Sequence, residues 1–125
     1  MSLDKLLRLQ LLYCLLGVLF NVVSYWFLTQ HGKALTSTEP ISGLVAMSIY
    51  GLMLLPGKIR ELNVYRILMV IAILIFGYGG IVNHFILYPQ SPELYHSLPI
   101  AIFGMSINIF GLIWNIYAAL GKYKV

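Results

Sequence analysis

Four long apolar runs divide this chain, and nearly all of its charges fall at the joints between them. The runs cover about residues 6–28, 38–56, 64–87 and 98–120. A helix needs roughly 20 apolar residues to cross a bilayer, and a helix that is apolar all round has no face to offer water. A soluble bundle of this length would need a polar face on every helix. The composition leaves no material for one: 10% of residues are charged, against about 25% in soluble domains. The sequence therefore predicts an all-α membrane protein, a single domain over residues 1–125 with four transmembrane helices in a compact bundle.

The second run is the shortest. Ser37-Thr38-Glu39-Pro40 precedes it and reads as a helix start, with a capping hydroxyl and then proline in the first turn. Pro56-Gly57 predicts its end, and the third run is expected to stop before Pro89. The first run follows Lys5 and Arg8 but is too long for a cleaved signal sequence, so it reads as a retained span.

Lysine and arginine set the expected orientation. Lys5, Arg8, Lys58, Arg60, Arg66, Lys122 and Lys124 fall on one side of a four-span chain, and only Lys33 falls on the other. The positive-inside bias predicts both termini in the cytoplasm, in a bacterial cytoplasmic membrane. Tyr25, Trp26, Tyr88 and Tyr95 are expected at the outer interface, and Tyr65, Trp114, Tyr117 and Tyr123 toward the inner one. The net charge of +4 follows from these joints, so it implies the bilayer as partner and no nucleic acid.

Each asparagine inside a run has a glycine four residues before it: Gly17 and Asn21, Gly79 and Asn83, Gly104 and Asn108, Gly111 and Asn115. His84 stands in the same relation to Gly80. Positions i and i+4 stack on one helix face, so each polar head lies over a turn without a side chain. In the fourth run Ser97, Ala101, Gly104, Asn108, Gly111, Asn115 and Ala118 extend this into a stripe. Gln10, Cys14, Gly17, Asn21, Ser24 and His31 do the same in the first. The adjacent pairs in the third run point about 100° apart, which predicts a helix serving two neighbours. In lipid, helices associate through close backbone approach and interhelical hydrogen bonds, so these stripes are expected at helix contacts. Ala46-Met47-Ser48-Ile49 also faintly echoes Gly104-Met105-Ser106-Ile107, as a duplicated hairpin would.

No Asp, Glu, Lys or Arg lies deep in a run, and the one cysteine, Cys14, has no partner for a disulfide. Acid–base, proton-relay and dithiol chemistry therefore lack their residues, and an enzyme is not expected. Three expectations of function remain. The first is an oligomerising or accessory subunit of a larger membrane complex, with the small-and-polar stripes as its contact. The second is a small transporter or channel for a neutral or weakly charged solute, using Asn21, Asn108 and Asn115. The third is a metal or haem site on the side away from the termini, at His31, His84 and His96.

Overall fold

The structure is a computed structural model that describes residues 1–125. Its elements are α1 (Leu3–His31), α2 (Pro40–Met53), α3 (Leu55–Lys58), α4 (Leu62–Gly77), a π turn (Tyr78–Val82), α5 (Asn83–Gln90), a 3-10 turn (Pro92–Leu94) and α6 (Leu98–Ala119). Four continuous helical stretches result: Leu3–His31, Pro40–Lys58, Leu62–Gln90 and Leu98–Ala119. All four are long and apolar enough to cross a membrane, which makes this an all-helical protein built for a bilayer.

The helix ends explain why the boundaries differ from the sequence reading. α2 starts at Pro40, and its cap is the Glu39 carboxylate, which accepts from Ile41 N at 3.1 Å and Ser42 N at 2.7 Å. Ser37 and Thr38, the expected caps, are turned to another partner described below. Pro56 does not end the second stretch, because it sits in the first turn of α3 and needs no amide hydrogen there. The chain turns instead at Arg60, the only non-glycine residue with positive φ, at 66°. Pro89 is likewise carried inside α5, whose last turn closes when Ser91 N donates to Leu87 O at 2.8 Å. Gly32 ends α1 with φ 74°, the left-handed cap that glycine adopts without steric cost.

The bundle has a simple order. α1 packs along both α2 and α6, and α6 packs along α4. α2 and α4 complete the ring but barely touch. An even number of crossings brings the chain ends together. Leu3 N donates to Lys124 O and Lys124 N to Met1 O, both at 2.8 Å. The bundle thus has a termini end and a histidine end.

Aromatic rings divide these two ends. Tyr13, Tyr50 and Phe76 meet edge-on at the centre, with centroid separations of 5.0, 5.5 and 6.4 Å. Below them, toward the termini, lie Leu3, Leu6, Gln10, Tyr65, Met69 and Asn115, each fully buried. Outward faces carry Leu15, Leu19, Ile67, Leu74, Phe85 and Phe103, all well exposed, as lipid contact requires.

Candidate functional site

The Gly–Asn pairs resolve into two kinds. Asn21 Nδ2 donates to Gly17 O at 2.8 Å, and Asn108 Nδ2 to Gly104 O at 3.2 Å. Each satisfies its own helix, four residues back. The bare glycine is then free to receive a side chain from a neighbouring helix. A Cβ added at Gly17 would lie 2.7 Å from Met47, one at Gly104 3.1 Å from Phe20, and one at Gly80 2.5 Å from Asn108. Gly43, which was in no pair, receives Asn21 in the same way.

Asn115 behaves differently. Its Oδ1 accepts from Tyr50 Oη at 2.5 Å and from Gln10 Nε2 at 3.1 Å. Gln10 Oε1 in turn accepts from Tyr65 Oη. Every helix of the ring therefore contributes one buried member: Gln10 from α1, Tyr50 from α2, Tyr65 from α4 and Asn115 from α6. Gly111, its sequence partner, instead makes room for the Tyr13 ring, which a Cβ would approach to 2.5 Å. Tyr13 Oη reaches past it to donate to Asn108 Oδ1 at 2.8 Å.

This network was only partly legible beforehand. Gln10 lay on the α1 stripe, and Tyr13, three residues on, shares its side of the helix. Tyr50 carried no sequence signal. Tyr65 was expected at the membrane interface, yet it is fully buried. A tyrosine hydroxyl is amphipathic at an interface and equally useful as a donor inside a bundle. Sequence spacing does not separate the two uses.

Tyr95 was likewise expected at the interface and is buried. It belongs to a second cluster, around His84 at the histidine end. His84 Nδ1 lies 2.7 Å from Tyr95 Oη and 3.3 Å from Ser37 Oγ, and His84 Nε2 lies 3.1 Å from Thr38 Oγ1. The hydroxyls expected to cap α2 are thus used to fasten the loop after α1 onto α5. Leu35 N donates to Ser24 Oγ at 3.0 Å, and His96 N to Leu35 O at 2.9 Å, which completes the lid.

The three histidines do not meet. His31 and His96 flank Phe27, with ring centroids 5.4 and 5.2 Å from it, while His84 is buried among the lid hydroxyls. No group of three or more His, Cys, Asp or Glu side chains is placed to hold a metal ion. Their sequence separation carried no geometric information: His31 and His96 both pack on Phe27, and His84 belongs to the lid.

Between the aromatic floor and the histidine lid lies a cavity of about 280 Å³. Its walls are Gly17, Phe20 and Asn21 from α1, Ser42, Gly43, Ala46 and Met47 from α2, and Ala101, Gly104, Ile107 and Asn108 from α6. Ile75, Phe76, Gly79, Gly80 and His84 line the remaining side. The π turn makes that last set possible. Asn83 N donates to Tyr78 O, five residues back, so the helix is underwound there. Gly79, Gly80 and His84 then share one side of the helix, where the unbroken α-helix expected from sequence splits them between two neighbours. π turns of this kind recur at functional sites.

Asn83 does not line the cavity and belongs to neither kind; it is half-buried at the start of α5. Asn21 and Asn108 reach the cavity, and Asn115 lies beneath its floor. No family model, curated protein or solved structure matches the chain.

Proposed function

We propose that the chain is a small membrane protein that binds, and passes across or within the bilayer, an uncharged or weakly charged small molecule held in this cavity. One observation carries the reading: all four membrane helices contribute residues to one internal space. Cavities of this kind, mostly apolar with a few convergent polar groups, are the usual form of ligand sites. Asn21, Asn108, Thr38 and Ser42 supply the polar groups, and no Asp, Glu, Lys or Arg lines the wall. Asn115 has the different task of sealing the termini end.

Blocking the cavity tests this. A Cβ at Gly79 meets nothing within 4 Å, and the residue is exposed at the cavity edge. Gly79→Leu is therefore expected to fold normally while filling the space. Native mass spectrometry of protein released from membranes should find a retained small molecule on the parent chain and none on the variant. A retained molecule with equal occupancy in both would refute the assignment to this cavity.

The second reading is an oligomerising or accessory subunit. It is favoured by the Gly79–Asn83 pair, whose glycine receives no neighbour and whose side-chain amide makes no hydrogen bond within the chain. The other four glycines of the pairs all receive a side chain from within the bundle, so this pair is the one available for a second chain. Crosslinking in membranes that yields only monomer would remove this reading. The orientation we propose has both termini in the cytoplasm of a bacterium, with the basic joints on that side. Cysteine accessibility at residues 33 and 58 tests it.

A further inference from the structure

The cavity has walls, a floor and a lid, and their arrangement says from where it is filled. At the histidine end the Leu35–Thr38 loop is fastened across it by His84, Tyr95 and Ser24. At the termini end Tyr13, Tyr50 and Phe76 close it, and the buried Gln10–Asn115 network lies behind them. Three of the four helix contacts around the ring are extensive, and only α2 and α4 barely touch. The residues that both line the cavity and are exposed are Ser42, on α2, and Ile75 and Gly79, on the stretch facing it. These three are the rim of its mouth. Ile75 and Gly79 lie midway along a helix of 29 residues, so the mouth opens on the membrane core and not on water.

Size and charge then restrict the occupant. An apolar cavity of about 150 Å³ holds one benzene, so this one holds roughly ten to twelve non-hydrogen atoms. No cationic side chain is present to pair with a phosphate or carboxylate, and an ion brought here unpaired would be costly. His84 has both ring nitrogens engaged by hydroxyls. Asn21 donates to Gly17 O, but its Oδ1 has no partner, and it is not among the atoms sealed from contact. That oxygen, which rests beside Gly43 on the cavity wall, is a hydrogen-bond acceptor without a partner. The rest of the surface, including Phe20, Met47 and Phe76, is apolar.

Resting on the reading that this cavity is the binding site, we infer that its ligand is an uncharged, hydroxyl-bearing single-chain lipid that enters sideways from the bilayer between α2 and α4. Its polar end donates to Asn21 Oδ1, and its chain leaves through the gap at Ser42, Ile75 and Gly79.

The test uses the full chain in liposomes containing a monoacylglycerol with a photoactivatable group on its acyl chain near the ester. Mass spectrometry of the illuminated protein locates the adducts. The expected adducts lie on Met47, Ile75 and Phe76. Gly79→Leu and Ser42→Phe, which narrow the mouth from opposite sides, are each expected to lower them about tenfold. Labelling of the lipid-facing Leu15 and Leu19 should be unchanged. The photoactivatable fatty-acid anion should label Leu15 and Leu19 only. The lipid inference is overturned if the monoacylglycerol labels the cavity residues no more than the outer ones, or if both mouth variants label like the parent. It is also overturned if the anion labels the cavity equally well. In the first of these outcomes, native mass spectrometry separates two failures. A water-soluble molecule retained by the parent and lost in Gly79→Leu leaves the cavity as a binding site with the wrong ligand class. No retained molecule at all removes the site as well.

Discussion

The two ends of this bundle use the same residue types to opposite effect. At the termini end, Asn115 is bonded by tyrosine and glutamine from three other helices or through them, and nothing is left open. At the histidine end, Asn21 and Asn108 donate to their own backbones, and a cavity remains. Both ends carry the Gly-x-x-x-Asn pattern. The difference lies in what stands opposite. Tyr50 and Tyr65 bring hydroxyls on long rigid rings to the sealed half, whereas Gly43, Ala46 and Gly80 line the hollow half. The pattern is therefore sealed where side chains from other helices converge on one amide, as at Asn115, and lines a space where they do not.

The largest effect should come from destroying the fit of a ring to a glycine in the sealed half. Gly111→Val places a branched side chain where Tyr13 already lies. Overpacking of this kind costs about 3 kcal/mol, and the tyrosine has no free space to enter. Reversible unfolding in mixed micelles measures it. A change below about 0.5 kcal/mol, the level of an uneventful surface substitution, would mean that the sealed half is not tightly packed.

A smaller effect separates the two classes of asparagine. Asn115→Leu removes the acceptor shared by Tyr50 and Gln10 and should cost about 2 kcal/mol, since buried donors are left unpaired. Asn21→Leu removes only a bond to its own helix and should cost less than the roughly 0.6 kcal/mol of an average interhelical hydrogen bond. Its consequence should appear instead as loss of retained ligand. Equal costs at the two positions would erase the distinction between the halves.

The smallest effect concerns the wall of the hollow half. The amides of Ser42 and Ile41 donate to the exposed Glu39 carboxylate and hold its pKa below the ordinary glutamate range. The folded state thus favours the charged form. The stabilisation is complete above the unfolded pKa and disappears as pH falls through the lowered folded value. The protection of the amides of residues 41 and 42, corrected for the intrinsic slowing of base-catalysed exchange, should therefore fall between about pH 7 and about pH 3. Glu39→Gln should flatten that response. An identical pH response in the variant would show that the carboxylate does not hold the start of α2.

Much of the membrane architecture was legible because it depends on local quantities. The length of each apolar run and the placement of charges at the joints are set by what a bilayer tolerates, residue by residue. The stripes on α1 and α6 were legible for a similar reason, since helical periodicity puts Gln10, Gly17, Asn108 and Asn115 on faces without knowledge of neighbours. Helix ends were less so. Pro56 and Pro89 stop a helix only if the proline falls where an amide is needed, and both lie where the surrounding turn closes without one. The capping hydroxyls of Ser37 and Thr38 were misassigned because His84, 47 and 46 residues away, competes for them.

The sequence by itself determined that this chain forms four bilayer-length helices and which of their faces carry small and polar groups. Tertiary structure alone decided which glycine receives which side chain, that Asn115 seals while Asn21 and Asn108 line a space, and that the three histidines stay apart. The physical reason is that helix formation in lipid is governed by the chain's own backbone hydrogen bonds and polarity. Whether a notch is filled depends on the size and reach of a residue on another helix. The π turn at Tyr78–Val82 belongs with that second group: it shifts Gly79, Gly80 and His84 onto one wall through a single extra residue, which no periodicity in the sequence announces.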